Sequence, residues 1–234
     1  MRDSFTAAMD ALEDEGFTAA RYSDPFVAVL PVTGAAVSTL GHLLGSETIS
    51  ATDAGAAHLD EVQFDLGEGP CWDALRLVRP VTEPSLTTRG RLRWPAFAAA
   101  VVDDAVRSVF AFPLAVGTLR IGAVDLYSRE SMILDPLQMQ RAEAMAEVVG
   151  RRVLRDALNE VNGGSASVNP RSRRMVHQAT GFVIAQLQVA ADDAQLVIEG
   201  HAFAASRSTM DVAQDIIDGR LSFVRRDGRI EAIG

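Results

Sequence analysis

The runs Ser108-Val-Phe-Ala-Phe-Pro-Leu-Ala-Val116 and Leu119-Arg-Ile-Gly-Ala-Val-Asp-Leu-Tyr127 decide the fold. Both are apolar and β-prone, and only Gly117-Thr118 separates them, which predicts a β-hairpin. Pro113 has no N–H for a ladder, so a bulge or an edge position is expected there. Upstream, residues 35–40 and 47–52 read as two strands joined by a glycine-containing turn, and residues 81–83 as a short strand. Helical patterns lie between them at 4–14, 25–30, 53–63 and 95–104. The loop Gly67-Glu-Gly-Pro-Cys-Trp72 should open a further helix through Leu77. Hairpins interleaved with helices, rather than strict strand–helix–strand units, predict an α+β domain: an antiparallel sheet with flanking helices.

Beyond this domain the period changes. From about Asp135 to Val161, Ala142, Met145, Val149, Val153, Ala157 and Val161 recur at spacings of three and four, the mark of one long linker helix. Its stripe is expected to outrun the domain and to pair two copies as a homodimer, with Arg151, Arg152 and Arg155 flanking the seam. Asn162-Gly-Gly-Ser-Ala-Ser-Val-Asn-Pro170 follows as a flexible linker. The last seventy or so residues offer three helices and no convincing strand, hence an all-α module. The first helix spans about 172–188 and the second 192–206; the third starts at Ser208, whose hydroxyl can cap the Asp211 amide, and stops at Gly219. The expected organisation is 1–134 sensor-like domain, 135–162 linker helix, 163–171 flexible linker and 172–234 three-helix domain.

Charge follows the same division. Residues 1–162 hold 14 arginines against 23 acidic residues, whereas 163–234 hold 8 against 8, and no lysine occurs. The C-terminal part is therefore where cationic surface is expected on an acidic protein of net charge −9. One cysteine, Cys71, excludes an internal disulfide framework and a Cys/His zinc cluster. With no basic-then-apolar leader and no membrane-length apolar run, a cytoplasmic location and no membrane partner are expected. Cys71 reads as a small buried hydrophobe; a reductase acting through it is the weaker rival. Gly67, Gly69 and Pro70 shape a loop without a P-loop ending. His42, His58, His177 and His201 have no metal-ligand spacing, and Asp103-Asp104 and Asp192-Asp193 read as helix-end charges. No cofactor, no metal and no enzymatic activity are expected.

Candidate contact residues cluster near the C-terminal helices. Arg171, Arg173 and Arg174 could each neutralise a phosphate, or simply be a solvated charge run. Gln178, Thr180 and Gly181 share one turn; Gln178 offers a donor and an acceptor to a base edge. A mid-helix glycine costs about 1 kcal/mol against alanine, so Gly181 should allow either close helix packing or close approach of a ligand. Arg207 and Thr209 flank the capping Ser208, and Arg207 could pair with phosphate or stack on a base. Phe182 and Phe203 are expected in the core.

Two sets of residues carry a family resemblance. Glu61-Val-Gln-Phe-Asp-Leu-Gly-Glu-Gly-Pro-Cys71, Arg107-Ser-Val-Phe-Ala-Phe-Pro-Leu114 and Ile121-Gly-Ala-Val-Asp-Leu-Tyr127 resemble the GAF sensor domains of actinobacterial regulators. Gln178-Ala-Thr-Gly-Phe-Val-Ile184, Asp193-Ala194 and Thr209-Met-Asp-Val-Ala213 resemble the ANTAR domain, with Thr180 where many of its members carry lysine. This resemblance implies a GAF domain that takes a small-molecule signal. It also implies a three-helix module that binds RNA as a dimer, at paired hairpin loops of leader transcripts, giving transcription antitermination. The alternative is a ligand-regulated protein–protein interaction module that binds no RNA.

Overall fold

The computed structural model describes residues 3–40, 44–101, 104–163, 174–205, 207–226 and 228–234. The chain divides into two compact units, Met1–Arg171 and Ser172–Gly234.

In the first unit, α1 (Ser4–Glu13) and α2 (Asp24–Val29) precede β1 (Gly34–Thr39) and β2 (Glu47–Ala51). Next come α3 (Ala54–Leu66), α4 (Pro70–Leu77) and β3 (Val81–Glu83); then α5 (Arg91–Arg93), α6 (Pro95–Ala100), β4 (Ser108–Val116), β5 (Leu119–Ser128) and α7 (Pro136–Gly163). The strands form one antiparallel sheet in the order β2-β1-β5-β4-β3. The expected hairpin is its centre, with Phe110 opposite Leu126 and Phe112 opposite Val124. Pro113 lies beyond the end of β3, which pairs only with Val109–Ala111. There β4 has lost its outer partner, and a bulge follows between Leu114 and Ala115. That position tolerates a residue without an N–H.

Both faces of the sheet are covered, which is why β4 and β5 read as nearly continuous apolar runs. Val37, Phe110, Phe112, Leu114, Val124 and Leu126 pack with α1, α2 and α7. Ala36, Val81, Val109, Ala111 and Tyr127 pack with α3, α4 and α6. β1 approaches β5 so closely at Gly122 that a Cβ there would sit 1.8 Å from the Ser38 carbonyl oxygen. Only glycine fits. The α7 stripe is buried as expected at Ala142, Met145, Val149 and Val153. Past them Leu158 is 54% exposed, and the Val161 side chain lies outside what is described.

Arg152 corrects one expectation. Instead of flanking a dimer seam, it is buried and donates to the Leu12, Asp14 and Phe17 carbonyls at 2.5, 2.6 and 2.8 Å. It also reaches Tyr22 Oη at 3.1 Å. The last turn of α1 and the turn after it supply carbonyls that no helix or strand uses, and the guanidinium satisfies several at once.

The second unit holds α8 (Arg174–Leu187), α9 (Ala191–Ala204) and α10 (Thr209–Ile217), with Ser208 Oγ accepting from the Asp211 amide at 3.0 Å as predicted. Val176, Ala179, Val183, Ile198, Ala202, Val212 and Ile216 form its core. The all-α expectation for this unit is corrected: β6 (Ser222–Arg226) and β7 (Arg229–Ile233) form an antiparallel hairpin. Phe223 is buried against the helices, and its amide donates to Gln186 Oε1 at 2.9 Å. The sequence signals were Asp227-Gly228, a common hairpin turn pair, and the alternation of Leu221 and Phe223 with Ser222 and Val224. Clustered arginines masked that alternation.

Candidate functional sites

On the α3/α4 face of the first unit lies a buried polar group that apolar patterning did not predict. Asp125 stands in β5, the central strand, and Asp60 on α3; both are buried, Asp60 completely. Asp60 Oδ2 accepts from Thr48 Oγ1 at 3.0 Å. Burial and the neighbouring Asp125 charge push the Asp60 carboxyl well above the usual carboxylate range. Burial raises Asp125 to about 7, opposed by hydrogen bonds from Gln63 and Asp60. Two carboxyls this close in low dielectric cannot both ionise, so they share a proton. Gln63 ties the group to α4: its Oε1 accepts from the Cys71 amide at 2.9 Å, and its carbonyl from Trp72 Nε1 at 2.7 Å. Gly67, at φ 59°, ends α3, and Gly69, at φ 145°, admits Pro70 as the first residue of α4.

A cavity of about 10 Å³ adjoins Asp125, lined also by Ala56, Leu59, Gln63, Pro70 and Phe97 among others. Nearby, Asp53 caps α3 through the Ala56 amide at 2.9 Å and accepts from Tyr127 Oη at 3.0 Å. Cys71 is fully buried, and burial followed by the Asp125 and Asp60 charges pushes its thiol well up. Those same causes oppose thiolate formation. Among the described residues, no group of three or more His, Cys, Asp or Glu could hold a metal ion.

In the second unit the sequence-selected residues part company. Gln178 is exposed on α8. Gly181 is exposed too, and a Cβ there would meet nothing within 4 Å. Close helix packing within the unit is therefore not what this glycine provides, and Gly200 on α9 is in the same position. Two residues are corrected as surface contacts. Thr180 is buried and donates to the Val176 carbonyl at 2.7 Å, the back-bond a helical threonine makes when it faces inward. Thr209, in the first turn of α10, is 1% exposed. Arg207 is paired with Asp215 at 2.7 Å, and Arg220 holds the same carboxylate at 2.7 Å. Hydrogen bonds from Arg207 and Arg220 lower the Asp215 pKa. Arg171 and Arg173 lie outside the described residues; Arg174 begins α8, but its side chain lies outside them as well.

The expectation that Phe182 and Phe203 belong to the core is also overturned. Phe203 is 79% exposed and Phe182 43%, with Leu196 at 63%. The core is filled instead by Ile198 and Ala202 of α9 and by Phe223 from the hairpin. His201 packs edge-on against Phe223, with ring centroids 5.5 Å apart, as a structural histidine.

No protein-family model matches the sequence, and none of the curated proteins does. Solved structures do. The GAF domain of an Acinetobacter phosphoenolpyruvate-protein phosphotransferase aligns over 71% of this chain and 96% of its own, with a TM-score of 0.52 at 6% identity. The first unit has the GAF fold. The corresponding GAF domain from Coxiella burnetii aligns over 69% of this chain and 95% of its own, at 9% identity and a TM-score of 0.49. A domain of a Sinorhizobium meliloti sensor histidine kinase protein aligns over 62% and 93%, at 13% identity and 0.49.

Within the first unit, sequence reasoning missed Asp60 and Asp125, although a signal was present. Asp125 is the only charged residue between Ile121 and Tyr127, on what reads as the central strand. A residue that breaks the local pattern of its element points to a site. No helix among the described residues is long and apolar enough to cross a membrane.

Proposed function

We propose that this chain is an RNA-binding transcription antitermination regulator, in which the GAF domain reads a signal and the second unit, an ANTAR-type module, binds hairpin loops. The observation that carries this reading is the exposed pair Phe203 and Phe182 on a small helical unit. Unstacked loop bases are recognised by stacking on aromatic faces and by hydrogen bonds to their edges. Beside Phe182, Gln178 offers a donor and an acceptor, and Gly181 leaves the helix backbone approachable. Thr180 and Thr209 face inward and hold the module together; Gln178, Gly181, Phe182, Phe203 and Arg207 are the proposed contacts. Arg171, Arg173 and Arg174 remain proposed phosphate contacts. Pairing of two chains through α7 would let two modules grip two loops, raising affinity without new contacts.

A protein partner is the second reading. Leu196 is exposed on α9 together with Asp192 and Asp193, with the half-buried Glu199 on the same helix, an apolar residue set among acids. Gel-shift of the full chain against hairpins with paired hexanucleotide loops separates the two. RNA binding should fall steeply with added salt, and Phe203→Ala should weaken it about 5- to 150-fold, the equivalent of one stacked base at about 1–3 kcal/mol. At 79% exposure that change should leave stability within about 0.5 kcal/mol. Absence of binding at low salt refutes the RNA reading; full binding by Phe203→Ala refutes Phe203 as the stacking contact.

A further inference from the structure

The second strand of the C-terminal hairpin has an open edge. All residues of β7 (Arg229–Ile233) are exposed, the apolar Ile230 and Ile233 included, and β7 pairs with β6 alone among the described residues. The hairpin register fixes what that edge offers. Arg226 stands opposite Arg229 across Asp227-Gly228, and the pair that closes a two-residue loop turns its backbone groups toward each other. Alternation then turns the backbone groups of Arg229, Glu231 and Ile233 toward β6, and those of Ile230 and Ala232 outward. Edges left to solvent are commonly blunted by proline, a bulge or repelling charge. β7 has no proline and no break in register, and its two charges, Arg229 and Glu231, are of opposite sign.

We propose that β7 pairs antiparallel with β7 of a second copy of this chain, Ile230 opposite the partner's Ile230, so that two hairpins join into one sheet. Because only Ile230 and Ala232 turn their backbone groups outward, few registers bring donors onto acceptors. Ile230 opposite Ala232 sets Glu231 against Glu231, and like charges repel. Ala232 opposite Ala232 sets Glu231 against the apolar Ile233. Ile230 opposite Ile230 sets Arg229 against the partner's Glu231, and Glu231 against the partner's Arg229. Both ion pairs then fall at positions without ladder bonds, where facing side chains stand closest, and opposite charges across strands attract. Arg229 has no ion pair among the described residues, and Glu231 meets Arg226 at 3.8 Å through Oε2, which leaves Oε1 for the partner's arginine. Ile230 shares a face with Ala232 and Phe223, and the two Ile230 side chains cover one another there. A two-fold interface requires a surface complementary to itself, which is why the occupant is a second copy. The contact lies in the second unit alone, apart from any pairing through α7, and stands whether or not that unit binds RNA.

The test uses the full chain carrying Ile230→Cys or Ala232→Cys, a mild oxidant, and non-reducing gels that read the disulfide-linked dimer; the native Cys71 is buried. In the proposed register the facing Cα atoms at position 230 lie about 5.5 Å apart, within the reach of a disulfide. The two copies of position 232 are separated by about 13 Å along the strands. Ile230→Cys should therefore cross-link and Ala232→Cys should not. Adding Arg229→Glu or Glu231→Arg to the Ile230→Cys chain sets like charges opposite and should lower the yield about tenfold. Mixing those two charge variants restores both opposite-charge pairs and should restore the cross-link. In the unaltered chain at high concentration, the outward Ile230 amide should resist hydrogen exchange. No linking at position 230, which would leave β7 to solvent or to a strand of another protein, overturns the proposal. So do equal linking at 230 and 232, no recovery on mixing the charge variants, or an unprotected Ile230 amide.

Discussion

Replacing Arg152 with methionine keeps most of the aliphatic stem and removes one charged group that closes the turn after α1 onto α7. In the folded protein that guanidinium donates to three backbone carbonyls, of Leu12, Asp14 and Phe17, and to Tyr22 Oη. It also lies over the Tyr22 ring, 5.5 Å from its centroid. Tyr22 in turn donates to Asp156 Oδ2 at 2.5 Å. Hydrogen bonds to a charged group contribute about 1.5–3 kcal/mol each, and a buried acceptor left unpaired costs about 1–3 kcal/mol. The four bonds share one donor group and are not additive. The carbonyls of the exposed Asp14 and half-buried Phe17 can recover water. A net loss of about 3–5 kcal/mol follows, a large part of the 5–15 kcal/mol typical of a folded domain. Denaturant unfolding followed by tryptophan fluorescence measures it in the first unit alone, since Trp72 and Trp94 are the only tryptophans. Arg152→Lys keeps the charge but not the fork, and should fall between wild type and methionine. A loss below about 1 kcal/mol for Arg152→Met would refute the latch.

The buried carboxyl pair predicts a pH dependence of definite sign. Its folded-state pKa values are raised, that of Asp125 from 3.8 to about 7. Between these values the native state holds more protons than the unfolded one, so this contribution is full below pH 4 and is lost as pH rises to 7. At 1.36 kcal/mol per unit the Asp125 share of the loss is at most about 4 kcal/mol, and Asp125→Asn should reduce that slope in urea titrations at each pH; an unchanged slope contradicts it. Gly122→Ala forces a methyl into the Ser38 carbonyl and should cost at least about 2 kcal/mol by the same fluorescence measurement. Ser208→Ala removes the cap of α10 and should cost about 1 kcal/mol. Hydrogen exchange at the Asp211 amide should rise with it.

The sequence by itself determined most of the first unit, because strong local signals agreed there: the 108–127 hairpin, the helical pattern at 53–63, the glycine loop into α4 and the long apolar period of α7. It also placed the three C-terminal helices and the Ser208 cap. Tertiary structure decided what period alone leaves open, namely which side of an element meets which neighbour. Thr180 went inward and Phe203 outward because Val183, Ile198 and Phe223 already fill the small core. The β6–β7 hairpin exists because α8 offers it a wall and Gln186 a hydrogen bond. Arg152 sits in a helix stripe that reads as a seam, yet carbonyls well over one hundred positions away in the chain recruit it. Asp60 and Asp125 lie far apart in sequence and meet only when α3 packs on β5. Their chemistry belongs to the pair, and only the folded chain brings the pair together.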